Sequence, residues 1–249
     1  MENHSYNEVI GAPYISTLAK QGAVGSSYFA TDHPSLPNYA ELTSGQSFPN
    51  AGSDCDPSPN CQSAARNIVD TVAASGRTWH SYQESMGASC GKVTSGQYAP
   101  KHNPFVYYTD ISAASCQANV VDYSNLANDL RSSNLPNYVF ITPNMCNDMH
   151  DCSIATGDSW LSKNVPAILG SSAFSQQHSL LLLVWDEDDQ SQSNQVALIA
   201  VGSKVKTGYV SAVRYTHYSL LKTVEAAWGL PALNGNDRGA SAMTDLISG

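Results

Sequence analysis

The run Leu180-Leu181-Leu182-Leu183-Val184-Trp185, followed at once by Asp186-Glu187-Asp188-Asp189, decides the fold. Its apolar part is too short to cross a bilayer, and it lacks the polar alternation of a strand with one wet face. A strand covered on both faces reads this way, as in a parallel sheet lying between helices. Tyr138–Thr142 and residues 196–201 repeat the pattern, and residues 77–82 form another strand-like run. Helical periodicity falls between and around them, at residues 12–21, 62–75, 125–132, 158–169 and His217–Trp228. In the last, Leu220, Leu221, Val224 and Trp228 make an apolar stripe. Alternating helix and strand predicts a three-layer α/β/α sandwich around a mostly parallel sheet. The short loop between the last two strands suits an antiparallel pair.

Composition narrows the class. With 249 residues and 42% hydrophobic content, the chain can bury a full core, and one domain over residues 1–249 is expected. Only 13% of residues are charged, so Ser, Asn, Gln, Thr and Tyr must cover much of the surface, a composition that suits a secreted protein. The net charge of -9 and the lack of any basic run exclude charge-driven nucleic-acid binding. No apolar run is long enough for stable membrane insertion. The cysteines fall as sequence neighbours, and local disulfides Cys55–Cys61, Cys90–Cys116 and Cys146–Cys152 are expected. The paired CxxC spacing of a zinc site is absent. Disulfides imply an oxidising compartment. They would also pin the long Gly/Ser/Pro/Asn-rich loops at residues 47–61 and 85–115. The chain opens directly on Glu2-Asn3 with no apolar leader, as expected of a mature or trimmed chain.

Open parallel sheets bind ligands beyond the carboxyl ends of their strands. Asp186 and Glu187 follow one apolar strand, and residues 144–151 follow another, so both clusters are expected at one rim. Adjacent carboxylates repel unless a cation or solvent compensates, so the tetrad is either a metal site or a solvated acidic turn. It lacks the glycine and terminal glutamate of a calcium-binding loop. Glu2 and Asn3 offer hard oxygen ligands. Asn3-His4-Ser5 is also a glycosylation sequon, and a buried ligand could not carry a glycan. In His33-Pro34-Ser35-Leu36-Pro37-Asn38 a helix is about to begin. Ser35 is either its N-cap or a nucleophile beside the helix's anion-attracting end. His150 with Asp151 offers acid–base or phosphate-binding chemistry, and Lys101-His102-Asn103-Pro104 is a second histidine loop. His217 stands where it could cap the last helix or reach the site.

Taken together, Glu2-Asn3-His4-Ser5-Tyr6, the Ser35 motif, Lys101-His102-Asn103-Pro104, Asn147-Asp148-Met149-His150-Asp151, Trp185-Asp186-Glu187-Asp188-Asp189 and His217-Tyr218-Ser219-Leu220-Leu221 form a set. In this order, over essentially the whole chain, it resembles the phosphoesterase family of bacterial acid phosphatases and phospholipases C, of the alkaline-phosphatase-like superfamily. The resemblance implies one divalent metal ion (Mg²⁺, Ca²⁺, Mn²⁺ or Zn²⁺) held by Glu2, Asn3, Asp186 and Glu187. Ser35 would be the nucleophile, forming a phosphoserine and also touching the metal. His150 would contact the substrate phosphate with Asp151 beside it, and Asn38 and His102 would be further phosphate contacts. The resemblance also implies an apolar strand ahead of Glu2-Asn3, expected to lie before residue 1. Without large insertions, the site is expected to be open and the substrate a small phosphate ester.

The expected function is therefore a secreted, metal-dependent, acid-phosphatase-like monoesterase. One alternative is a phospholipase C-type diesterase, with Phe105-Val106-Tyr107-Tyr108 as its apolar approach surface. The other is a non-catalytic secreted binding domain on the same fold.

Overall fold

The computed structural model describes residues 1–132 and 135–248. Its strands are β1 (Ala23–Gly25), β2 (Tyr28–Phe29), β3 (Trp79–Gln83), β4 (Val120–Asp122), β5 (Tyr138–Thr142), β6 (Leu180–Val184), β7 (Leu198–Gly202), β8 (Tyr209–Ser211) and β9 (Tyr215–Thr216). They form ladders ordered β6-β7-β1-β8, β2-β9 and β4-β3-β5. The pairings β1–β8, β2–β9, β3–β4 and β3–β5 are parallel, while β1–β7 and β6–β7 are antiparallel. The last pair of apolar runs is thus antiparallel, as its short connection requires.

The helices are α1 (Tyr6–Val9), α2 (Pro13–Gln21), α3 (Ser35–Ser44), α4 (Ile68–Ala74), α5 (Ala113–Asn119), α6 (Leu126–Arg131), α7 (Ile154–Leu169), α8 (Ser172–Gln176), α9 (His217–Trp228) and α10 (Gly235–Gly239). Side chains of β3 and β5 alternate between two cores. Trp79, Tyr138 and Phe140 pack with Leu36, Val69, Val72 and Leu221 of α3, α4 and α9. Tyr82, Val139 and Ile141 pack with Leu126, Ile168 and Phe174 of α6, α7 and α8. A sheet with helices on both faces is the α/β/α arrangement that the apolar runs predict. A third core joins α2 and α7 to β1, β6 and β7 through Ile15, Leu18, Leu161, Val165, Val24, Leu183 and Leu198.

Two boundaries differ from expectation by more than two residues. Residues 62–66 lie outside the helix predicted over 62–75. The backbone of Ser63 bonds Tyr107 and Thr109 instead, and Asn67 caps α4 by accepting from Val69 N–H while Asp70 accepts from Asn67 N–H. Helix α7 begins at Ile154 rather than 158, because the Ser153 hydroxyl accepts the Thr156 N–H. The three expected disulfides, Cys55–Cys61, Cys90–Cys116 and Cys146–Cys152, all form.

The rim is organised by the first residues of the chain. Asp186 N–H donates to Met1 O, and Glu2 N–H donates to Asp148 O. Glu2 is thereby held between the segment that follows β6 and the one that follows β5.

Candidate active site

Ser35 is the first residue of α3 and not its cap. The cap position is Pro34, whose side chain can accept nothing, and Ser35 Oγ bonds no backbone amide of its own helix. It donates instead to Glu187 Oε1 at 3.0 Å and lies 3.2 Å from Glu2 Oε2. A hydroxyl 1% exposed between two carboxylates has no structural need to be a serine. The bland reading of this residue fails on that geometry. The segment 31–34 that aims it is stapled by Asn38. The Asn38 carbonyl accepts from Thr31 N–H and Asp32 N–H, and its amide donates to Asp32 O and Pro34 O. Here the expectation needs correcting: with both amide ends engaged and no exposure, Asn38 positions the Ser35 turn and does not reach a phosphate.

Glu2 and Glu187 both bond Ser35, and Asn3 and Asp186 are their neighbours in the chain. Both carboxylate oxygens of Asp186 and the Asn3 carbonyl oxygen are buried without a hydrogen-bond partner among the described residues. Leaving such groups unsatisfied is costly. Burial, then the charges of Asp186 and Asp148, push the Glu2 pKa well above the usual carboxylate range. Burial and Asp186 push Glu187 up to about 8. Hard, crowded oxygens, unpartnered in Asp186 and Asn3 and pushed up in pKa in Glu2 and Glu187, fit a divalent cation. Such an ion would supply the charge these carboxylates lack and weaken the hold of a bound hydroxyl on its proton. Asn3 turns into this cluster at a left-handed φ of 50°, a conformation asparagine tolerates. Its carbonyl oxygen is buried, which favours the ligand role over the glycosylation reading. The acidic tetrad divides in two: Asp186 and Glu187 point inward, whereas Asp188 accepts from the backbone N–H groups of Gln190, Gln192 and Asn194 and builds the turn.

The histidines also divide. His150 Nδ1 lies 2.7 Å from Asp151 Oδ1, and His150 Nε2 lies 3.1 Å from Lys101 Nζ. The predicted pair is thus assembled, with Asp151 orienting the ring. His102 is not placed as a substrate contact, which corrects that expectation. It is 2% exposed, with Nδ1 3.1 Å from Asp148 Oδ2 and Nε2 3.2 Å from Glu2 Oε2. Burial lowers its pKa to about 3, so the ring is neutral. Glu2, His102 and Asp148 bring one ligand atom each to within 4.8 Å of one another, so His102 either supports the metal shell or joins it. His217 is fully buried and bonds Asp186 O at 2.6 Å and Tyr28 OH at 2.9 Å, holding the end of β6 in place. An open cleft of about 390 Å³ beside Glu187 is lined by Asn3, His33, Pro34 and Asp188, among others.

Comparison with known proteins agrees with this geometry. The family model described as the Phosphoesterase family matches residues 1–231. The chain belongs to the Phosphoesterase family. This phosphoesterase is 34% identical over 98% of its length to a phosphatidylinositol-3-phosphatase of Mycobacterium tuberculosis, covering 80% of that protein. It is 32% identical to a phosphate-repressible acid phosphatase of Penicillium chrysogenum over 98% of its own length, but it spans only 61% of that protein. Among solved structures it is similar to a protein of the alkaline phosphatase superfamily from Vibrio parahaemolyticus. That match has a TM-score of 0.65 and 12% identity, covering 96% of this chain and 67% of the other; at such identity it speaks for the fold alone. The phosphoesterase is accordingly an alkaline-phosphatase-like α/β protein and a hydrolase of phosphoric esters.

Four residues of the phosphoesterase site escaped the sequence reading. Tyr39 donates its hydroxyl to Glu2 Oε1, and its position four residues after Ser35 on one helix face was a usable signal. Asp148 lies two residues before His150, in a polar run already singled out. Its Oδ1 accepts the His150 N–H, and burial pushes its pKa up to about 7. His33 bonds Glu187 Oε2 through Nδ1. Asp54, in a disulfide loop, gave no signal at all.

Proposed function

We propose that the chain is a secreted, metal-dependent phosphatase that hydrolyses phosphate monoesters through a phosphoserine at Ser35. The carrying observation is the placement of Ser35 Oγ against two ionisable carboxylates, with the unpartnered oxygens of Asp186 and Asn3 beside it. Glu2, Asn3, Asp186, Glu187 and Ser35 would hold a divalent ion, which supplies charge neutralisation and hydroxyl activation when bound.

In the first half-reaction the Ser35 proton leaves along its hydrogen bond to Glu187 Oε1. Ser35 Oγ then forms its bond to phosphorus as the bond to the alcohol oxygen breaks. Once the Lys101 ammonium turns from His150 Nε2 to the phosphoryl oxygens, His150, its Nδ1 fixed by Asp151, can carry a proton on Nε2 and deliver it to the departing oxygen. In the second half-reaction His150 takes a proton from water, whose oxygen attacks phosphorus. Ser35 leaves with its bonding pair and regains its proton from Glu187. The α3 amino end and Lys101 would stabilise phosphoryl oxygens.

Both curated relatives described above bear the names of phosphatases, which supports the monoester class. The diesterase alternative loses its candidate lipid-facing loop, because Phe105, Val106, Tyr107 and Tyr108 are all buried. No helix among the described residues is long and apolar enough to cross a membrane. The three disulfides support an oxidising, extracytoplasmic setting.

Hydrolysis of p-nitrophenyl phosphate by wild type and Ser35→Ala, with and without EDTA, tests the reading. Turnover should be lost in EDTA, return with added divalent ion, and fall by at least about a thousandfold in Ser35→Ala. Unchanged turnover in Ser35→Ala overturns it.

A further inference from the structure

Two donors near the start of α3 are already occupied by an anion of the chain's own. Leu36 N–H, in the first turn of α3, donates to Asp54 Oδ1 at 2.9 Å. Lys101 Nζ donates to Asp54 Oδ2, also at 2.9 Å, while lying 3.1 Å from His150 Nε2. One carboxylate thus bridges a backbone amide at the positive end of a helix and a largely buried ammonium. These are the groups a phosphoryl oxygen seeks, and the amide belongs to the residue that follows the candidate nucleophile.

The surroundings fix the backbone of Asp54 and leave its side chain a way out. Asp54 adopts a left-handed φ of 50° next to Cys55, whose disulfide to Cys61 closes the loop. Tyr107 OH donates to Cys55 O at 2.8 Å, and Thr94 Oγ1 donates to Asp56 Oδ1 at 2.9 Å. The loop is therefore anchored immediately after Asp54. The Asp54 side chain is nevertheless 20% exposed, and Gly52 and Ser53 before it are exposed. Water is at hand to receive the carboxylate when it is displaced.

Building on the phosphatase reading, we propose that Asp54 is a tethered phosphate mimic that sets substrate specificity. Its carboxylate fills the anion subsite formed by Leu36 N–H and Lys101 Nζ, and a substrate phosphoryl group must displace it. A side chain bearing a single negative charge competes best against singly charged ligands. A dianionic monoester displaces it more readily than a monoanionic diester, so Asp54 acts against the weaker anion. Its return to the subsite after turnover also helps expel inorganic phosphate.

The test uses the full chain with its divalent ion, as wild type, Asp54→Ala and Asp54→Asn. Binding of inorganic phosphate is followed by calorimetry, and kcat and KM are measured on p-nitrophenyl phosphate and bis(p-nitrophenyl) phosphate. In Asp54→Ala, phosphate should bind about tenfold tighter and KM for the monoester should fall by a similar factor. The monoester-to-diester ratio of kcat/KM should shrink. Asp54→Asn, which keeps an oxygen for Leu36 N–H but no charge, should change in the same direction while preserving the melting temperature. A KM and phosphate affinity that stay constant or weaken in both variants overturn the proposal and leave Asp54 as a helix cap. Wild type inactive on both esters would instead refute the phosphatase reading. In that case, tighter phosphate binding by Asp54→Ala would still establish the subsite.

Discussion

Asp186 is 2% exposed, and neither of its carboxylate oxygens has a hydrogen-bond partner among the described residues. Its charge is also one of the causes that raise the pKa values of Glu2 and Glu187. Stability alone would not select such a residue, because an unsatisfied buried charge opposes folding. Asp186→Asn should therefore raise the melting temperature of EDTA-treated protein, by the equivalent of about 1–3 kcal/mol. It should also abolish turnover and the stabilisation produced by added divalent ion. Paired thermal melts with and without metal read this directly, and a lower melting temperature in EDTA would argue against it. At this scale the sequence was most legible where chemistry-bearing residues adjoin apolar strands or start a helix, as at Asp186, Glu187 and Ser35. It was least legible where a residue acts through partners far along the chain. Asn38 looks like a ligand in sequence because its context is polar, yet its amide is spent on Asp32 and Pro34. Asp54 reaches Leu36 and Lys101 only because a loop folds back.

Among the elements, β5 and α9 have the bounds that their apolar patterns predict. Strand β1 escaped notice although it pairs with both β7 and β8. Ala23-Val24-Gly25 is too short to show a period, and its glycine weakens any strand signal. Its placement comes from neighbours on both sides and not from local propensity. Helix α2 shows how such long-range ties stabilise an element. Asp158 of α7 accepts from Tyr14 N–H at 3.0 Å and Ile15 N–H at 2.9 Å, capping α2 from the neighbouring helix, whereas the α2 cap residue, Ala12, makes no side-chain cap bond. Asp158→Ala should cost about 1–2 kcal/mol, the size of a lost N-cap. Denaturant melts should show this loss while kcat and KM stay at wild-type values. A change in KM without a change in stability would place Asp158 in the wrong role.

For the whole molecule, the alternation of apolar runs and helical stripes was enough to read the layered architecture, and the spacing of the cysteines the local disulfides. The division of the strands into separate ladders depends on pairings between distant short segments. The protonation balance of the folded state is likewise a property of packing. Burial, then Asp237, push the Glu225 pKa from 4.5 up to about 8, with Lys222 opposing. Burial and Asp70 push Asp110 from 3.8 up to about 6. Both groups hold protons in the folded state that the unfolded chain releases. Their stabilisation is fully present below the unfolded values and is lost as pH rises through 6 and then 8. His217 works in the opposite sense. Burial lowers it from 6.5 to about 4, so its contribution is lost as pH falls through that window. Between about pH 7.5 and 8 His217 and Asp110 have largely finished titrating, and Glu225 is one of the groups, with Glu187, that still set the slope. Urea unfolding of the protein with divalent ion present should show stability declining across that range. Glu225→Gln, which cannot titrate, should flatten the decline relative to wild type. An identical slope in the variant would mean that Glu225 is already ionised in the fold and that Lys222, 3.6 Å away, outweighs burial and Asp237.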